Sequence, residues 1–388
     1  MLTETKTFLF FVVFTVMLFW SLPSTWTRAR AGILILSSSL LIYIVSPLSL
    51  GLCLAFTLTA SLHNWLYRRQ PNGWLTFAAV TLMTATMFAG KLIWDKSISL
   101  TATIGLSYIA LKSISVVVDF AGEQEQGVAS PSFPETLLLN LFFPIYSAGP
   151  IEKAATFRFP ELATRFNVAD FNHGAARIGL GIFKVSFLAN ALINFLLTGK
   201  FANFLNPQAQ FSLVESHLYI WLMLLRLYFD FSGYTDIAIG VSRLFGIHVM
   251  ENFRWPFSSR NIQDLWQRWH ITLGNFVFGY IFFPLMRLTG GRATPCIILA
   301  FAGVGLWHGV SVKWLTWGLA QGVGLAAVPL YKGFVRKHPV LSKFRTTKVH
   351  AALAWFLTMT YFAWSISFAL TSNTGDAAII TQRILGLL

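Results

Sequence analysis

The chain has 388 residues, of which 55% are hydrophobic, 16% aromatic and only 11% charged. Soluble domains carry roughly 25% charged residues, so this chain lacks the polar surface that water demands, and residues 1–388 are read as one membrane domain. The formal charge is +14. Its cations gather between apolar runs, at Arg28 and Arg30, at Arg68 and Arg69, and from Lys332 to Lys348. That is the pattern of cytoplasmic loops rather than the basic, aromatic-studded face of a nucleic-acid binder, so no nucleic acid is expected as a partner.

Apolar stretches able to cross, or nearly cross, a hydrocarbon core of about 30 Å lie at 8–22, 31–46, 48–66, 74–94, 98–118 and 136–151. More follow at 177–198, 214–249, 271–288, 294–312, 313–333 and 349–371. The first is read as a retained anchor, because Arg28 and Arg30 follow it where a cleaved leader would end. Breaks are expected at Pro47, Pro144, Gly149-Pro150, Gly233 and Pro284. Short, broken segments at membrane depth survive only when buried in protein or lining a wet cavity, so some of these are expected to be re-entrant. The expected fold is an all-α, polytopic membrane protein with about ten to eleven transmembrane helices. If the basic loops are cytoplasmic, both termini lie outside.

Residues Asp119 to Glu135, with Glu123 and Glu125, read as a solvated loop. Cys53 and Cys296 sit in apolar stretches with no second cysteine or histidine at ligand spacing, so they are read as packing residues, and no metal is expected. No nucleophile elbow, P-loop or dinucleotide fingerprint is present. What remains is histidine acting as a base.

The polar run Glu251–His270, ENFRWPFSSRNIQDLWQRWH, interrupts the apolar pattern. Asn261, three residues before Asp264, has the spacing of a capping box, which predicts a helix starting there. On that helix Asp264 pairs with Arg268, and Trp266 shares a face with His270. The bland alternative is an interfacial tryptophan anchor. Thirty-eight residues on, Gly305-Leu306-Trp307-His308-Gly309 places a histidine inside an apolar stretch. An ionisable residue at membrane depth is costly unless it faces a cavity or partner, and glycines on either side let a second backbone or a substrate approach closely. Asp230 lies four residues from Arg226, a spacing that predicts mutual neutralisation.

The run from Tyr228 to His270, containing YFDFSGYTDIAIG and then ENFRWPFSSRNIQDLWQRWHITL, is followed by GLWHG and WLTWGLAQG. Together they resemble the bacterial branch of the membrane-bound O-acyltransferase family, which includes alginate O-acetylases and the D-alanyl transfer protein of teichoic acid synthesis. The likeness is strongest over 140–330, read as the catalytic core, and Ser147 to Glu152 looks like the family's upstream SxGPI element. One departure is local: relatives typically continue WxRWH with Ser-Leu-Ser and then Arg-Asp-Tyr, where this chain has Thr272-Leu273-Gly274 and Phe278-Gly279-Tyr280.

The resemblance implies helices around a central tunnel, with His308 as the catalytic histidine and His270 as the second. Trp307, Trp266, Asn261 and Asp230 are expected beside substrate. It implies a multi-pass protein of the bacterial cytoplasmic membrane that esterifies an extracytoplasmic glycan. A thioester donor, acetyl-CoA or an acyl-carrier protein, would be co-substrate, with no tightly bound cofactor. Membrane lipid, the glycan acceptor and an extracytoplasmic acyl-relay protein are the expected partners. Two rival readings are a same-family enzyme acting on a lipid or protein hydroxyl, and a proton-coupled transporter or flippase; the inverted repeats usual in transporters are not visible.

Overall fold

The computed structural model describes residues 5–94, 101–123, 130–147 and 149–388; Glu125 and Ala148 lie outside them. Among the described residues the secondary structure is helical, with one isolated bridge, Phe253 to Trp269. The helices are α1 (Thr5–Ser21), α2 (Thr27–Val45), α3 (Pro47–Arg69), α4 (Gly73–Trp94), α5 (Thr101–Glu123), α6 (Phe133–Leu141), α7 (Val168–Ile182), α8 (Asn194–Thr198) and α9 (Leu213–Leu244). They continue with α10 (Ile262–Trp266), α11 (Ile271–Val277), α12 (Phe283–Leu288), α13 (Ala293–His308), α14 (Val312–Arg336), α15 (Pro339–Arg345), α16 (Lys348–Leu370) and α17 (Thr374–Ile384).

Among the described residues, six segments combine the length and apolarity needed to cross a membrane: Thr27–Val45, Gly73–Leu92, Gly105–Gly122, Val168–Thr198, Ile271–Leu288 and Lys348–Leu370. Three more helices, α3, α9 and α14, are 23, 32 and 25 residues long but more polar. Two compact units emerge, Met1–Gly181 with Tyr234–Glu251, and Ile182–Gly233 with Asn252–Leu388.

Several expected breaks are real. Ser46 is extended and its hydroxyl caps α3, whose first residue is Pro47, a position where the missing N–H costs nothing. At Gly233, however, α9 continues without interruption. At Pro284 the helix also continues, through a π-helical turn at Phe278–Phe282. Proline cannot donate to the carbonyl four residues back, and the wider turn just ahead of it takes up that mismatch.

In the first unit, α3 packs on α5 and α6 around a polar centre. Lys112 is fully buried, and its Nζ donates to the carbonyls of Leu139 and Asn140 at 2.8 and 3.4 Å, the orphan acceptors at the end of α6. Asn140 in turn donates to Thr57 and Ser113. Arg30 is not the free loop cation expected from the sequence. It is buried in the first turn of α2, donating to the carbonyls of Leu22, Leu162 and Thr164.

The solvated loop expected from Asp119 to Glu135 is also corrected. Asp119 and Glu123 belong to α5, and Glu135 is buried at the start of α6. Its carboxylate accepts from the Ser132 backbone N–H and hydroxyl at 2.8 and 2.7 Å and from the Phe159 N–H at 2.9 Å, with Arg158 alongside at 3.4 Å. Burial alone would push this carboxyl up, but those donors and the Arg158 charge hold it below the ordinary glutamate range.

An unfolded chain therefore takes up the proton first on acidification. The carboxylate's contribution is complete above the ordinary glutamate range and is lost as the pH falls from there through the lower value of the folded state. Glu135→Gln should cost about 1–3 kcal/mol near neutrality, because an amide N–H then faces a donor, and should flatten the acid loss of stability. Thermal unfolding in detergent at about pH 7 and about pH 4 checks this; equal acid sensitivity in both proteins would refute it.

Candidate active site

The candidate residues lie in the second unit. The polar run of the sequence is a loop closed at its base by backbone bonds, Ile271 N–H to the Asn252 carbonyl at 2.9 Å and Arg254 N–H to the Arg268 carbonyl at 2.9 Å. Asn261 caps the first helix within it, its Oδ1 accepting from the Asp264 N–H at 2.9 Å, and Arg268 Nε pairs with Asp264 at 2.8 Å, as the spacing predicts. That helix is only Ile262–Trp266, so Trp266 and His270 do not share a continuous helical face. His270 instead begins α11 with φ of 45°, a left-handed conformation uncommon for any residue but glycine. Strained positions of this kind gather at functional sites.

His270 is 4% exposed, and its ring meets Phe231 edge-on at 4.8 Å. Its Nδ1 lies 3.0 Å from Asn252 Oδ1, and that same oxygen takes the Thr272 N–H at 3.3 Å and the Thr272 hydroxyl at 2.9 Å. A backbone N–H can only donate, so the Asn252 atom facing it must be oxygen. His270 Nδ1 therefore carries the proton and donates. In the neutral ring this leaves the Nε2 lone pair as an acceptor. Asn252 lies inside the motif quoted from the sequence, but an asparagine between Glu251 and Phe253 in a polar run reads as an ordinary loop residue.

Trp266 is buried at 3% exposure, with Nε1 donating to Gln321 at 3.1 Å and Gln321 donating to Ser365 at 2.5 Å. Trp266 and Trp269 are thus internal, whereas Trp255 of the same loop is 81% exposed. His308 closes α13 and is half-buried. Its ring stacks on Trp314 at 5.0 Å with an interplanar angle of 17°, and meets Trp317 and Trp307 edge-on at 5.1 and 4.4 Å. Trp317 also meets Trp266 at 6.3 Å. One indole thereby links the polar loop to His308.

The glycines beside His308 admit a second backbone. A Cβ on Gly305 would strike the Trp314 carbonyl, one on Gly309 the Trp314 ring, and one on Gly318 the Phe301 carbonyl. Gly305 on α13 and Gly318 on α14 face each other's backbone, the close packing that small residues allow between membrane helices, and this sets Trp314 and Trp317 against His308. Asp230 and Arg226 together line a cavity of about 610 Å³ with Asn194, Thr198 and Tyr219. Neither histidine lines it. Among the described residues no hydrogen-bonded ion pair joins Arg226 to Asp230, but the Arg226 charge still acts on the Asp230 carboxyl, so the expected neutralisation is through space.

In the first unit, ion pairing on α9 runs through Asp236, which accepts from Arg177 Nε at 2.8 Å, while Arg177 also grips Glu251 through two bonds of 2.6 Å. Glu152, from the SAGPIE element, accepts from the Met250 N–H at 2.7 Å. Arg177 was not found from the sequence, since its partners lie 59 and 74 residues away.

A profile of the membrane-bound O-acyltransferase family matches residues 2–371. The chain belongs to that family. It is 32% identical over 261 residues to a peptidoglycan O-acetyltransferase of Helicobacter pylori, covering 66% of this chain and 47% of that protein. A Pseudomonas syringae protein named as a probable alginate O-acetylase is 32% identical over 231 residues, 58% and 42% of the two chains. A teichoic acid D-alanyltransferase of Bacillus subtilis is 28% identical over 313 residues, 75% and 77%. The chain thus spans under half the length of the first two relatives.

The family member departs from the usual pattern after WQRWH in a way its structure accommodates. Thr272 hydrogen-bonds Asn252, a side chain at Gly274 would crowd the Trp266 carbonyl, and Phe278-Gly279-Tyr280 falls in the π-helical turn.

Proposed function

We propose that this chain transfers an acyl group, acetyl being the expected one, from a cytoplasmic thioester donor to a hydroxyl of an extracytoplasmic polysaccharide or cell-wall glycan. The donor would be acetyl-CoA or an acyl-carrier protein. The fold proposed to bring the two substrates together has about ten to eleven crossings around a central tunnel, in the bacterial cytoplasmic membrane, with an acyl-relay protein outside as a partner. The observation that carries this reading is the half-buried imidazole of His308 at a helix end, oriented by Trp314 and Trp317, in the same unit as His270.

His308 takes the proton from the acceptor hydroxyl as its oxygen attacks the thioester carbonyl. The tetrahedral adduct collapses, the C–S bond breaks, and the thiolate leaves and is protonated. Imidazole suits this because its ordinary pKa, about 6.5, lies near working pH, and a thiol of pKa about 8.5 leaves without a strong acid. The tautomer that Asn252 imposes gives His270 Nε2 the role of holding a hydroxyl by its hydrogen. A neutral acceptor of this kind orients the incoming alcohol and cannot stabilise an oxyanion.

Vesicles containing the purified chain, given an acetyl thioester and glycan fragments, should release thiol only when the glycan is present. Preference for a long-chain donor with a lipid or protein acceptor would overturn the glycan assignment. Proton-gradient-dependent solute movement without any thiol release would overturn the chemistry.

A further inference from the structure

A cavity of about 410 Å³ opens where the end of α14 meets α15, within the second unit, and Lys332, Arg336, Arg345 and Ser342 line it. Among the described residues no acidic one lines it, and none occurs in the sequence between Pro329 and His350. The cations come from two helices, so their convergence is a product of the fold and not of a basic run alone. Lys332 is only lightly engaged, by Gln263 at 3.3 Å. An anion could displace that contact.

The surroundings say what kind of anion. Leu330, Phe334, Val340 and Phe344 are exposed beside the cavity, and α16, apolar and long enough to cross a membrane, begins three residues after Arg345. Cations converging at the end of such a helix, bordered by exposed apolar side chains, match the head and tail of a phospholipid. Ser342 adds a hydroxyl donor, and two guanidinium groups can each grip a phosphate with paired N–H donors.

We propose that Lys332, Arg336, Arg345 and Ser342 form a phosphate site for the head group of an anionic membrane lipid. The site stands apart from His308 and His270 and does not depend on the acyl-transfer reading.

Native mass spectrometry on protein from nanodiscs of equal phosphatidylglycerol and phosphatidylcholine should find the anionic lipid retained at least about tenfold over the zwitterionic one. The triple variant Lys332→Gln, Arg336→Gln, Arg345→Gln should lose that preference. A second triple variant, Lys337→Gln, Lys343→Gln, Lys348→Gln, removes equal charge from residues that do not line the cavity and should keep it. Equal loss in both variants would mean a diffuse basic surface and overturn the site. In a parallel arm, pyrophosphate is added to protein in phosphatidylcholine alone; binding stronger than that of the anionic lipid would overturn the lipid assignment in favour of a soluble phosphate. Absence of any preference in the parent protein would overturn the proposal outright.

Discussion

Replacing His308 with alanine should lower glycan-dependent thiol release by about 10²- to 10⁴-fold, the contribution typical of a positioned general base. The expectation follows from where the ring sits. It is half-buried, stacked on Trp314 and edge-on to Trp317, and its removal should leave α13 and α14 paired through Gly305 and Gly318. His308→Gln is the stricter variant, since it keeps a planar polar group against the indole but has no basic nitrogen. Both proteins should elute as the parent does in detergent. Activity within about threefold of the parent, in either variant with intact fold, would be too small a change for a lost base and would remove His308 from the centre of the mechanism.

The second large effect is expected at Asn252, which is 0% exposed and accepts from His270 and twice from Thr272 through one oxygen. Asn252→Leu takes that acceptor from two buried N–H groups, at about 1–3 kcal/mol each, so a destabilisation of about 2–6 kcal/mol is expected. It also frees His270 to turn or to change tautomer. Asn252→Asp keeps oxygens for the same donors and should restore most of the activity. The pair is informative because a merely space-filling role predicts the reverse order, with the apolar leucine tolerated better than a carboxylate. Thermal unfolding together with acetyl transfer, measured on both variants, decides between them.

Much of the fold was legible because apolar length is a direct signature of membrane crossing. The stretches read at 271–288 and 349–371 match helical segments at Ile271–Leu288 and Lys348–Leu370 almost to the residue. The failures share a cause. Gly233 and Pro284 were read as breaks from local propensity, but neighbouring helices and a widened turn override propensity when backbone groups have nowhere else to bond. Glu135 and Arg30 were read as solvated because they are charged, yet each is buried by satisfying backbone groups distant in sequence.

Of the candidate site, the sequence marks the two histidines and not what holds them. His308 was marked by an ionisable group in an apolar run, and Trp266 and His270 by a polar insertion. Asn252, Trp314, Trp317 and Gln321 carry no such mark, since their roles exist only once Asn252 and Thr272, or α13 and α14, are adjacent. The stretch from Asn252 to His270, 18 positions apart in the sequence, holds a turn, a short helix and two positive-φ residues, Trp255 and His270 itself. No periodicity announces that arrangement.

The left-handed backbone at position 270 has a consequence for how this protein drifts under mutation. Glycine or asparagine would fit that turn with less conformational cost, so chance variation scored only on folding yield would tend to erode the imidazole. On the role proposed for His270, only selection for acyl transfer, rather than for robustness, would hold an imidazole at that position.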